Sequence, residues 1–184
     1  MRKLSHSEIS QNRSTIDTIP SVDRLPIVVV INSVRSAYNV GSIFRTSDGA
    51  MIEKLYLCGY TPHPPQKEVL KTALGSQDSV SWEYKNDPHE IIKKYKSIGY
   101  KIAALELTEE STTYYEMDSN QFPICLIIGN EITGVQQDLL DKCDFTLEIP
   151  QYGIKQSLNV AVAYGISIFD LRRIYDIKKT KEQK

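Results

Sequence analysis

The stretch Pro123-Ile-Cys-Leu-Ile-Ile-Gly-Asn-Glu-Ile-Thr-Gly134 decides the architecture. Residues 124–128 are apolar without alternation, and a run of that length is strand-like rather than membrane-spanning. A strand apolar on both faces needs cover on both faces, which is the habit of parallel sheets. Working outward, Pro26-Ile-Val-Val-Val-Ile31 repeats the pattern, and shorter apolar strands are predicted at 55–58, 102–105 and 145–149. Helical stretches fall between them. Val40, Ile43, Phe44 and Ser47 share one face of the first. Asp87-Pro88-His89-Glu90 opens a second, with Asp87 placed to accept from the N3 amide and Pro88 at N1. That helix sets Ile91, Ile92, Tyr95 and Ile98 on one side and Lys93, Lys94 and Lys96 outside, and Gly99 stops it. A short helix near 136–142 and a last one from about residue 157 to residue 173 follow; the latter carries Leu158, Val162, Gly165, Ile166 and Phe169 at helical spacing. Alternating strands and helices predict an α/β domain, a mostly parallel sheet flanked by helices.

The flanks differ. Residues 1–24 are polar without sustained period and read as an arm with a short helix near 7–12; residues 25–175 form the domain, and residues 176–184 a basic, solvated tail. The whole is 184 residues, 41% hydrophobic and 24% charged, with Lys+Arg 22 against Asp+Glu 23. A net charge of −1 excludes a protein that coats nucleic acid by bulk charge and leaves room for a local basic patch. The first residues lack the apolar stretch of a signal peptide. Cys58, Cys125 and Cys143 are odd in number and lack metal-ligand spacing, so free thiols in a reducing, cytoplasmic setting are expected, with no metal.

In an open α/β sheet, ligands gather in the loops at the carboxyl ends of strands. Three such loops are polar and glycine-bearing: residues 32–46, 129–134 and 149–159. Each feature taken singly has an ordinary explanation: Asn39 a helix cap, Arg45 a surface ion-pair partner, Glu131 a turn acid, Gly134 a hinge. No Gly-x-Gly-x-x-Gly or Gly-Lys-Ser/Thr follows a strand, which argues against dinucleotide and P-loop binding. The histidines, His6, His63 and His89, lie outside all three loops, so Ser-His-Asp hydrolysis has no support and surface roles are expected for them.

Together the loops resemble the SpoU (TrmH-like) branch of the SPOUT class of RNA 2′-O-ribose methyltransferases. The matching motifs are Asn39-Val-Gly-x-x-x-Arg45-Thr, Ile-Gly129-Asn130-Glu131-x-x-Gly134 and Ile149-Pro150-x-x-Gly153-x-x-x-Ser157-Leu158-Asn159, in family order across residues 26–174; Lys71-Thr-Ala-Leu-Gly-Ser76 with Trp82 looks like the family's linker. The resemblance implies a C-terminal trefoil knot, an α/β-knot fold that periodicity does not reveal, and a homodimer with its site near the interface. It implies S-adenosylmethionine as cofactor, held mainly through backbone at Leu105, Glu106, Gly129, Asn130, Ile149, Ser157 and Leu158. Glycine at 129 fits close approach of backbone to a ligand, and Ile149 and Leu158 suit a flat adenine. Gln151 departs from the methionine usual after Ile-Pro.

The resemblance places Arg45, Asn39, Glu131, Asn159 and Ser157 at the catalytic centre. A guanidinium keeps its proton in proteins, so Arg45 is read as gripping the phosphate beside the target ribose while the hydroxyl proton passes to that phosphate or to water. Asn39 is expected to hold Arg45 or the ribose, Glu131 and Asn159 to fix the loops, and Ser157 to order the cofactor. Arg35 and Lys155, with Arg2, Lys3, Arg13 and the lysine-rich tail, are candidates for RNA contact. The expected function is RNA 2′-O-methylation, on tRNA ahead of rRNA; the alternative is a knotted RNA-binding module without catalysis. No membrane partner is expected.

Overall fold

The computed structural model describes residues 1–11, 13–19 and 23–182. Seven strands, β1 (Leu25–Asn32), β2 (Ile52–Cys58), β3 (Trp82–Lys85), β4 (Lys101–Leu105), β5 (Thr112–Thr113), β6 (Ile124–Ile128) and β7 (Phe145–Glu148), form one sheet in the order β3-β2-β1-β6-β4-β7-β5. Every pairing is parallel. The helices are α1 (His6–Gln11), α2 (Ala37–Ala50), α3 (Lys67–Ala73), α4 (Ser76–Ser79), α5 (Pro88–Ser97), α6 (Gln137–Leu140) and α7 (Val160–Glu182).

The missing alternation in β1 and β6 now has its cause. Ile27, Val29 and Ile31 join Leu126 in a core shared with α2, α3 and α7, while Val28 and Val30 join Cys125 and Ile127 in a second core under α5 and α6. Both faces are dry, so both sets of side chains are apolar. Cys58 and Cys125 are free and buried, and burial pushes the Cys58 thiol up to about 12 and that of Cys125 higher still. They behave as small hydrophobes.

Several predicted boundaries move. Strand β2 begins at Ile52, three residues before the predicted start. Asp87 does cap α5, but accepts from the His89 amide at 2.9 Å, one position earlier than expected. Ile98 is exposed because α5 ends at Ser97. Strands β3 and β5 and helices α3 and α4 had no periodic signal; they are short, and β3 is a partly exposed edge.

The largest difference concerns α7. The predicted apolar face, with Leu158, Val162, Ile166 and Phe169, is exposed, and Tyr164, Ser167, Ile168, Leu171 and Ile174 are buried instead. The first half of this helix is apolar nearly all round, so its spacing admits either face. Contact with α2 selects one, through a 2.8 Å hydrogen bond between the hydroxyls of Ser47 and Tyr164. The helix also runs past the predicted end at 173, supported by the Arg172–Asp176 and Lys178–Glu182 pairs, so described tail residues through Glu182 continue it. In the arm, α1 has no buried residue. Arg24 closes the arm onto the domain by donating to the carbonyls of Ile52 and Ser79. Asn12, Gln183 and Lys184, which belong to the predicted arm helix and tail, lie outside the described residues.

Candidate active site

Strand β1 leads outward to β2 and β3 on one side and borders the parallel strand β6 on the other, so the connections from the two neighbouring strands run to opposite sides of the sheet. Such a switch point opens a crevice at the carboxyl edge. The loops leaving β1 and β6 meet there. Ser36 caps α2, its hydroxyl accepting from the Asn39 amide, so Asn39 is not the cap. The Asn39 side chain is freed for another task.

That task is to join the three loops. Glu131 accepts from the amides of Arg35 at 2.8 Å and Ser36 at 3.0 Å, and from Nδ2 of Asn39 at 3.0 Å. Oδ1 of Asn39 accepts from Nδ2 of Asn159 at 3.0 Å. Oδ1 of Asn159 in turn accepts from the amides of Ala161 and Val162, capping α7. Residues about a hundred positions apart are thus tied into one chain of polar contacts. Burial pushes the Glu131 carboxyl up, but the amides of Arg35 and Ser36 and the side chain of Asn39 outweigh it and hold it below the ordinary carboxylate range. The carboxylate is therefore a fixed anionic anchor rather than a proton carrier near neutrality.

Asn130 organises its own turn. Its Oδ1 accepts from the amides of Ile132 and Thr133, and Nδ2 donates to the Ser33 carbonyl at 2.9 Å and the Tyr60 hydroxyl at 2.8 Å. Glu106 closes the other side by accepting from the Val135 amide at 2.8 Å. Gly129 has a reason different from the one anticipated. A Cβ there would lie 2.3 Å from the backbone of Gly134, so the turn's own closure already requires the glycine. Gly134 is the hinge, at φ +66°, with the Glu106 carboxylate filling the space where its Cβ would stand.

Beside this network lies a cavity of about 580 Å³, a size suited to a nucleoside-sized ligand. Leu105, Glu106, Gly129, Asn130, Ile149, Ser157 and Leu158 all line it, together with Glu131 and Lys155. Ile128, Pro150 and Gly153, motif residues given no role above, also contribute walls, as do Leu107 and Leu147, which lie outside the motifs and whose signal was position at the ends of β4 and β7. The wall from Gln151 to Leu158 is exposed coil whose backbone makes no hydrogen bond to another described residue. Those N–H and C=O groups are open to a ligand or to water.

Arg45 stands on α2, outside the cavity lining and exposed, its side chain without a hydrogen bond or ion pair to any described residue. The expected Asn39–Arg45 contact is absent, because Glu131 and Asn159 occupy both ends of the Asn39 amide. Arg35 contributes its backbone amide, and its side chain makes no polar contact with another described residue. His89 pairs with Asp138, and His63 stacks near Tyr84, both away from the network. Among the described residues no cluster of His, Cys, Asp or Glu is placed to hold a metal, and no helix is long and apolar enough to cross a membrane.

A profile described as the SpoU rRNA methylase family matches residues 26–169. A tRNA (guanosine(18)-2′-O)-methyltransferase from Aquifex aeolicus is 33% identical over 150 residues, which are 80% of this chain and 69% of that protein. A 23S rRNA (guanosine(2553)-2′-O)-methyltransferase from Bacillus subtilis is also 33% identical, over 79% of this chain and 57% of its own length. Among solved structures, the A. aeolicus TrmH/SpoU tRNA-modifying enzyme superposes with a TM-score of 0.79 at 29% identity, covering 89% of this chain and 84% of that one. An AdoMet-bound rRNA methyltransferase from Sinorhizobium meliloti gives 0.76 at 29% identity, over 84% and 59%. With the profile spanning the domain from β1 into α7, this chain belongs to the SpoU rRNA methylase family.

Proposed function

We propose that the protein is an S-adenosylmethionine-dependent RNA 2′-O-ribose methyltransferase of the cytoplasm, acting on tRNA ahead of rRNA. The observation that carries this reading is the Glu131–Asn39–Asn159 chain, which assembles the three motif loops at the rim of one cavity. Curated relatives named as tRNA and rRNA methyltransferases support transfer chemistry over a bare RNA-binding role. The chain spans 57–69% of the length of those two relatives.

The cavity suits the cofactor. Apolar Leu105, Ile149 and Leu158 stand ready to enclose a flat base, and the unpaired backbone of 151–158 offers donors and acceptors to polar groups. When bound, S-adenosylmethionine supplies an electrophilic methyl on a sulfonium. The remaining work belongs to the chain. Arg45 binds the RNA phosphate next to the target ribose with its planar fork and so holds the hydroxyl in place. Asn39, Glu131 and Asn159 keep the loops in register, Ser157 orders the cofactor, and the hydroxyl proton leaves to phosphate or solvent.

Arg35 and Lys155, with the arm and the basic end of α7, would supply the phosphate contacts that a net charge of −1 leaves to local patches. A trefoil knot and homodimerisation through the outer face of α7 complete the proposal. The sheet order, in which the chain leaves β7 near one edge and returns to pack α7 on α2, agrees with such a crossing. Val162, Ile166 and Phe169 expose apolar surface on that helix, the usual mark of a buried partner contact. The test is incubation with methyl-labelled S-adenosylmethionine and unmodified tRNA and rRNA transcripts, with mapping of 2′-O-methyl groups. Label in one ribose supports the reading. No label in either RNA class overturns it.

A further inference from the structure

The carboxyl edge of the sheet carries a second feature beyond the cavity and the motif network. Strand β2 ends at Cys58, and the turn after it presents Tyr60 with 64% of its surface exposed. A free surface tyrosine swings; this one is held. Its hydroxyl accepts from Nδ2 of Asn130, within the loop that also carries Glu131. The flanking Thr61 is buried, donates to the carbonyls of Ile31 and Cys58, and accepts from the Val34 amide, which pins the turn to the loop after β1. One strand further along, Tyr84 at the end of β3 donates to the Gly59 carbonyl, and the His63 ring lies 4.8 Å from it.

Strand spacing sets this aromatic strip about 5 to 10 Å from the loop after β1, on the side opposite the cavity. Since the Tyr60 hydroxyl is engaged, the ring offers the outside an apolar, pre-oriented π-face. Such a face beside a loop that carries a cation, here Arg35 one residue after the Val34 amide held by Thr61, is what single-stranded nucleic acid uses: stacking for a base, charge for its phosphate. A helical RNA, with its bases paired and stacked, would leave the ring without an occupant.

On the reading that the chain methylates RNA, we propose that Tyr60 is the stacking platform for an unpaired base neighbouring the target ribose, with Tyr84 and His63 extending the platform outward. Tyr60 is then a substrate-binding residue that governs RNA affinity and selects loops over duplexes.

The test uses the full chain and an RNA transcript that the wild type methylates. Tyr60→Leu, which keeps bulk and removes the π-face, should raise the KM for RNA by about ten-fold, with S-adenosylmethionine affinity unchanged by calorimetry. Tyr60→Phe, which loses only the bond from Asn130, should stay within about two-fold of wild type by the same stacking argument. Tyr60→Trp adds an emitter at the platform, and its fluorescence beyond that of Trp82 should be quenched by RNA. An unchanged KM in Tyr60→Leu overturns the proposal, as does a Tyr60→Phe defect equal to that of Tyr60→Leu, or unquenched emission in Tyr60→Trp. A wild type that methylates no RNA sinks the proposed function itself, a result distinct from these.

Discussion

Two walls of the same cavity are built in opposite ways. The wall of β-strand ends and the turn at Asn130 is buried at its base, at Ile128, Asn130 and Leu147, and the carboxylates of Glu106 and Glu131 each accept from backbone amides. The wall from Gln151 to Leu158 is exposed throughout, with Tyr152 at 92% and Ile154 at 99%, and among the described residues its only side-chain bonds are those of Gln151 to the carbonyls just before it. On the proposed function, the contrast separates two duties. Groups that must hold a reacting geometry sit where packing and amides leave them one conformation. A segment that has to admit and release a ligand is left with few intramolecular bonds, which is the low-stability end of a fold. Apolar Ile154 and Tyr152 in water also fit the proposed dimer, in which a second copy would cover them.

Changes away from the loose wall should have the largest effects, first at Arg45 on α2 and then at Gly129 in the rigid turn. Arg45→Ala should lower kcat by about 100- to 1000-fold with cofactor affinity unchanged, by the scale of a lost charge-stabilising donor. Arg45→Lys should restore little, because the fork is gone. Single-turnover methyl transfer measures both; near-normal turnover in Arg45→Lys would remove the phosphate-fork role. Gly129→Ala forces a Cβ against the Gly134 backbone, which no rotamer relieves. It should cost about 3 kcal/mol or more, seen as a fall of roughly 6–12 °C in Tm, and should abolish cofactor binding.

Glu131→Ala strands two backbone amides and the Asn39 side chain, and partial solvent access limits the loss to about 1–2 kcal/mol. Turnover should fall more than stability, since the loops lose register. Acid sharpens this point. The folded Glu131 carboxyl lies below its unfolded value of 4.5, so its contribution is present above that pH and is lost as pH falls through the folded value. Wild type should lose stability on acidification over that window, and Glu131→Gln should lose less over the same window; equal slopes would contradict the anchor role. On the loose wall the smallest effect is expected. Gln151 spends its amide on the Ile149 carbonyl, so Gln151→Met should shift S-adenosylmethionine affinity by less than about three-fold.

The cores of β1 and β6 were legible because an unbroken apolar run has one economical explanation, cover on both faces. The residues that the resemblance gave to the cofactor, Leu105, Glu106, Gly129, Asn130, Ile149, Ser157 and Leu158, share one hollow, which is as far as the geometry reaches. Arg45 was legible as a residue type in a motif, while its freedom from Asn39 was not, because side-chain amides choose partners by distance in space. Gly129 shows the same limit. Its identity signals close approach, and only coordinates reveal that the neighbour is Gly134 of its own turn.

Local pattern alone determined the parallel α/β class, the helix opened by Asp87-Pro88 and the places where strands give way to polar loops, since these depend on neighbours within a few residues. Tertiary structure decided which face of α7 is buried, because its first half is apolar nearly all round and packing against α2, with the Ser47–Tyr164 bond, fixes one face. It also decided that Glu131, Asn39 and Asn159 form one chain and that Tyr60 is clamped by Asn130. Hydrogen bonds across such separations come into being only after the sheet has brought its loops to one edge.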